Sequence, residues 1–145
     1  MTAGARFTAG SIPSQVARLM KPEDRKAAGI VLPEEAAAKH EARQKRELQR
    51  LCEQELSRRG IVYPHLSPRA REAAGWPDLT FALGGRPVAV QVRTKSGKLS
   101  PNEVELLAAM RANGWRVYVV RGLPGFDTFR DLLNGHRPKQ WVPEA

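Results

Sequence analysis

Leu79, Phe81 and Leu83 alternate with Thr80 and Ala82, and a few residues on Val88, Val90 and Val92 alternate with Ala89, Gln91 and Arg93. A period of two is the mark of a strand with one apolar face. Between the two runs stands Gly84-Gly85, and glycine reaches the positive φ of a two-residue hairpin turn without steric cost. The spacing predicts two antiparallel strands. It also puts Asp78, at the mouth of the first strand, on the polar side with Gln91 and Arg93 of the second. These three side chains are expected to converge.

The rest of the chain supplies elements to cover such a hairpin. Residues 34–59 are rich in Ala, Glu, Gln, Lys, Arg and Leu without an interior Gly or Pro, and Gly60 follows as a natural helix stop. Leu48, Leu51, Cys52 and Leu56 form the apolar stripe of that helix, so Cys52 reads as a buried thiol. Ile61-Val62-Tyr63, ended by Pro64, predicts a short strand. Ser100-Pro101-Asn102-Glu103 is a capping box opening a helix to about Asn113. Val117 and Val119 mark a last strand, 122–125 a loop and 126–133 a closing helix with Phe129, Leu132 and Leu133 inward. Residues 1–33 lack sustained periodicity and read as a flexible arm, with helical spacing only over 14–20. The organisation expected is an arm (1–33), one domain (34–135) and a tail (136–145) that docks by Trp141. Helix, three strands, helix, strand, helix predicts an α/β fold with a mixed four-stranded sheet flanked by helices.

Composition narrows the partners. A net charge of +9 over 145 residues favours a polyanion, nucleic acid before an anionic membrane surface. One cysteine excludes an intramolecular disulfide and fits a reducing compartment. No apolar run is long enough to span a bilayer, so the expected location is the cytoplasm, with no membrane partner. His40, His65 and His136 lie far apart without cysteine partners, which gives no zinc spacing. No phosphate-binding glycine loop or helix-turn-helix pattern is present.

In this order and spacing the pieces resemble the PD-(D/E)xK nucleases, and more narrowly their VRR-NUC (virus-type replication-repair nuclease) branch. The likeness is carried by Gly75-Trp76-Pro77-Asp78-Leu79 before a strand, a Gly turn and a second strand. It extends to Gly97-Lys98-Leu99-Ser100-Pro101 before a helix, to Gly114-Trp115-Arg116-Val117-Tyr118-Val119-Val120, and to Glu47-Leu48-Gln49 upstream. It covers roughly 47–133. The resemblance implies a restriction-endonuclease-like fold and a nuclease dependent on Mg²⁺ or Mn²⁺, acting on DNA, with branched or flapped ends among its substrates. Phage-type replication or repair would be its setting, in the host cytoplasm if a phage encodes it, and a homodimer is one arrangement it allows.

By the same resemblance Asp78 is a catalytic metal ligand and Glu47 a second metal-site acid. Glu47 read by itself is a surface carboxylate for Lys45, Arg43 or Arg50. The chain departs from the family at Gln91-Val92-Arg93, where Glu-x-Lys is usual. Gln91 keeps an oxygen donor without the charge, and Arg93 keeps the charge but is a poor proton acceptor. Glu103 stands where the family usually has Gln. It is therefore either a migrated acidic ligand or only the partner of the cap. Arg69, Arg71, Arg86, Lys95, Lys98 and His65 lie on loops near the expected site and are candidates to track phosphates. The alternatives are a catalytically silent nuclease-fold protein that binds nucleic acid, supported by Gln91 and Arg93, and a basic partner-binding protein.

Overall fold

The computed structural model describes residues 13–64, 66–67, 69–71 and 75–143. The chain divides into two compact units, Met1–Arg43 and Gln44–Ala145. In the first, α1 (Ser14–Leu19) and α2 (Pro22–Ala28) precede the opening turns of α3 (Pro33–Arg58). Ala17, Ile30 and Leu32 bury together with Met20 beside them. Arg25 donates to the Met20 carbonyl at 2.8 Å and to Glu35 at 3.2 Å, and Glu35 accepts from the Leu32 amide at 3.1 Å. Helix α1 falls where the spacing over 14–20 is helical, while α2 was not expected. Their apolar residues are few and far apart in sequence, so no periodicity betrays the cluster they build.

The second unit is organised on a three-stranded sheet in the order β1 (Leu79–Leu83), β2 (Arg86–Arg93), β3 (Arg116–Arg121). β1 and β2 are antiparallel, with Leu79 opposite Val90 and Phe81 opposite Val88. Gly84 and Gly85 turn the hairpin at φ 59° and 79°, as their position predicts. β3 runs parallel to β2, with Val90 opposite Tyr118. Parallel neighbours need a crossover, which α4 (Pro101–Ala112) provides. α5 (Gly122–Leu133) closes the fold.

The period of two reappears as two distinct faces. On one, Leu79, Phe81, Val88, Val90, Val92, Tyr118 and Val120 pack with Leu48, Cys52 and Leu56 of α3 and with Phe129, Leu132 and Leu133 of α5. Phe81 and Phe129 meet edge to face at 6.1 Å. On the other, Ala89 and Val117 pack with Leu107 and Met110 of α4, and Trp76, Trp115 and Trp141 lie at the margin. The tail is held along β3: the Trp141 amide donates to the Val117 carbonyl at 2.9 Å, and Gln140 accepts from the Val117 amide at 3.2 Å.

Two expectations are corrected. Ile61-Val62-Tyr63 is no strand, so the described sheet has three strands and not four. The Ile61 amide is spent on the Leu56 carbonyl at 2.9 Å, which closes the end of α3, and Val62 is 88% exposed. Ile61 and Tyr63 still pack on the core by their side chains. The closing helix begins at Gly122 and not at Phe126. Pro124 needs no amide in a first turn, and Gly125, buried without a Cβ, lies against the backbone of Val120. Among the described residues no helix is long and apolar enough to cross a membrane.

Candidate active site

Asp78 stands one residue before β1 and extends the hairpin pairing by side chains. Its amide donates to Gln91 Oε1 at 2.8 Å, and its Oδ2 accepts from the Val92 amide at 2.8 Å. The expected convergence is present. Gln91 is 1% exposed, and it uses its oxygen to hold the Asp78 backbone. An amide suffices for that task, which accounts structurally for a Gln at this position.

Arg93, at the end of β2, is the centre of the site. Its Nη1 lies 3.2 Å from Asp78 Oδ2 and 2.6 Å from the Val92 carbonyl oxygen. Its Nη2 contacts Glu103 Oε2. Glu103 is brought there by α4, whose capping box forms as predicted. Ser100 Oγ accepts from the Glu103 amide at 3.2 Å, and Glu103 Oε1 accepts from the Ser100 amide at 2.9 Å. One carboxylate oxygen caps the helix while the other faces Arg93, so the two readings of Glu103 are compatible. Burial pushes the Arg93 guanidinium down from its ordinary value and Asp78 draws it back up. An arginine so placed remains a cation.

The approach of α4 to the Asp78 loop depends on Gly75. It sits at φ 67°, and a Cβ built there would stand 3.0 Å from the Asn102 carbonyl carbon. Between these elements lies a cleft of about 320 Å³ lined by Lys45, Arg71, Trp76, Asp78, Arg93 and Glu103, among others. Lys45 Nζ is 3.7 Å from Asp78 Oδ1. Arg71 donates to the Asp78 carbonyl at 3.0 Å, and the Gln49 amide oxygen, in the orientation that satisfies both groups, accepts from Arg71 at 2.6 Å. Buried Arg71 Nε and Trp76 Nε1 have no hydrogen-bond partner among the described residues. The cleft therefore presents three cations against two carboxylates, with donors to spare.

Several candidates sit elsewhere. Glu47 is exposed and pairs with Arg50, whose hydrogen bond lowers its carboxyl from the ordinary value. It lines no part of the cleft. Of its two readings the structure displays the surface pair. The reason is helix phase: Glu47 is turned about 100° from Leu48, whereas Lys45 is in step with Leu48 and Cys52. Lys45 is a cleft residue that sequence reasoning missed as a site residue, as is Trp76, and for Lys45 that same three-and-seven spacing was the signal. Arg69, Arg86, Lys95 and Lys98 are exposed and outside the cleft. Lys98 instead borders a second depression with Leu99, Val104, Arg121 and Trp141. His65 lies outside the described residues.

The oxygens of Asp78, Glu103 and the Val92 carbonyl all face the Arg93 guanidinium. Among the described residues no three His, Cys, Asp or Glu side chains come together in a group that could hold a metal ion. Family models, curated proteins and solved structures were each compared with the chain, and nothing matches.

Proposed function

We propose that the chain is a nuclease-type protein acting on nucleic-acid phosphodiesters, with Asp78, Glu103 and Arg93 at its centre and a restriction-endonuclease-like fold of the VRR-NUC kind. The observation that carries this is the meeting of Asp78 and Glu103, from a loop and a helix far apart in sequence, on one cationic position in a basic cleft. Asp78, Glu103 and the Val92 carbonyl would hold Mg²⁺ or Mn²⁺. Such an ion activates water and neutralises charge at phosphorus. The chain's own part is preorganisation. The Val92 amide and Gln91 hold Asp78, and the Ser100 amide holds Glu103, so neither carboxylate must be reoriented when a substrate arrives. Lys45 and Arg71 donate to phosphate oxygens, and Trp76 Nε1 and Arg71 Nε, without a partner among the described residues, belong to the same wall. The net charge of +9 draws the polyanion toward it.

The test is cleavage of duplex, single-stranded and flapped DNA with Mg²⁺, Mn²⁺ or EDTA. The wild type is expected to cleave only with metal. Asp78→Asn and Glu103→Gln should each abolish cleavage while leaving DNA binding in place. A second reading, a nucleic-acid-binding protein without catalysis, is favoured by the Arg93 guanidinium filling the cation position and by Gln91 lacking charge. Binding without cleavage under every metal condition would select it.

A further inference from the structure

We infer that Arg93 is the resident cation of a divalent-ion site, and that a metal ion must displace its guanidinium to bind. The identity of the competitor rests on the nuclease-type reading, while the occupancy by Arg93 does not. Arg93 touches Asp78 Oδ2, the Val92 carbonyl and Glu103 Oε2 together. Each of these oxygens is held independently of Arg93. The Val92 amide bonds Asp78 Oδ2, the Ser100 amide bonds the other oxygen of Glu103, and the carbonyl belongs to a paired strand. Withdrawing the guanidinium would leave the oxygens where they are.

The oxygens stay in place, but their charge still calls for a cation. The side chains of Asp78, Arg93 and Glu103 are 7%, 10% and 14% exposed, so bulk water offers little compensation. Without Arg93 the two carboxylates keep Lys45, 3.7 Å from Asp78 Oδ1, as a nearby cation, and their mutual repulsion rises. Nor can the position between the three oxygens hold the guanidinium and a metal ion at once. A hard divalent ion takes its oxygens at roughly 2.0–2.6 Å, inside the space the guanidinium fills. Arg93 is tethered to the strand carrying one of those oxygens, so a free ion competes against a partner that never diffuses away. A displaced Arg93 remains on the cleft wall with Lys45 and Arg71, where a phosphate can take it. Metal and phosphate should therefore assist each other's binding.

The decisive experiment is calorimetric titration of Mn²⁺ into the wild type and Arg93→Met without nucleic acid. The variant should bind at least about tenfold more tightly, because affinity falls in proportion to the fraction of time the site is open. Adding Asp78→Asn to that variant should remove the binding. Equal affinity in wild type and Arg93→Met overturns the inference, as does binding that survives the loss of Asp78. Should Arg93→Met fail to fold, the wild type itself gives the answer. Its Arg93 Nε–H resonance should shift progressively with Mg²⁺, and a resonance unmoved at the highest Mg²⁺ reached overturns the inference. No DNA is present in either measurement, so a failure here is separate from absent cleavage, which bears on the proposed function alone.

Discussion

Glu55 and Cys52 lie one turn apart on α3, and burial raises both, but only Glu55 has hydrogen-bond partners that outweigh it. Glu55 accepts hydrogen bonds from Arg58 and Arg59, which lower its carboxyl from an ordinary 4.5 to about 2 against the opposing effect of burial. A depressed acid contributes stability above its unfolded pKa and loses it as pH falls through the folded one. The urea-midpoint difference between wild type and Glu55→Gln should therefore be constant above pH 4.5 and disappear toward pH 2. A difference that persists at pH 2 would show that Glu55 contributes by packing alone. Cys52 is fully buried, and its thiol is pushed up to about 12, chiefly by burial, with Glu53, Asp78 and Glu55 adding to it. Relative to an ordinary value of 9, thiolate is scarcer by about a thousandfold. An aromatic disulfide reagent should modify Cys52 at the rate of global unfolding, and fast labelling of native protein would contradict this burial.

Helix α4 carries Glu103 to the site only because its first turn is fastened twice. Ser100 accepts from the Glu103 amide, and Gly75 lets the Asp78 loop approach Asn102. Ser100→Ala should lower stability by about 1 kcal/mol, the usual loss for an N-cap. Glu103→Gln should keep the cap, since an amide oxygen can still accept from Ser100. Gly75→Ala combines a strained positive φ with a backbone contact at 3.0 Å, and about 2 kcal/mol or more is expected. Urea midpoints measure all three. If Gly75→Ala is neutral, α4 is not held at that distance. The hairpin is simpler: Gly84 and Gly85 have nothing within 4 Å of a built Cβ, so only their φ matters. Gly84→Asn should be tolerated far better than Gly84→Val.

Charge acts across the whole molecule. Lys and Arg number 24 against 15 Asp and Glu, and exposed Arg69, Arg86, Lys95 and Lys98 lie away from the cleft while Lys45 and Arg71 line it. Phosphate contacts release counterions, so DNA affinity should fall linearly in log K against log salt, with a slope of about −0.9 per phosphate neutralised on duplex. Arg71→Ala should reduce that slope by about one and also loosen Asp78, whose carbonyl it holds. Lys95→Ala should reduce the slope without touching metal binding. An affinity indifferent to salt would favour the partner-binding alternative.

What could be read from sequence was local in origin. Alternation over 79–93 and the Gly84-Gly85 turn set the hairpin register, which sends Asp78, Gln91 and Arg93 to one side. The Ser100–Glu103 box set the start of α4, and the Leu48–Leu56 stripe set the buried side of α3. Each depends on neighbours within a turn or a strand pair, where spacing alone decides geometry. Other outcomes depended on which groups meet after packing. Glu47 lost its place to Lys45 through the docking phase of α3, and Ile61 gave its amide to the helix end and left the sheet with three strands. Ala17, Ile30 and Leu32 found one another without any periodic signal. Spacing made Glu103 a cap and the family resemblance made it a candidate site acid, and only the seating of α4 on the sheet brought it to Arg93 while it caps. Spacing orders side chains along one element, but the distance between charges on different elements is set by how their apolar faces close.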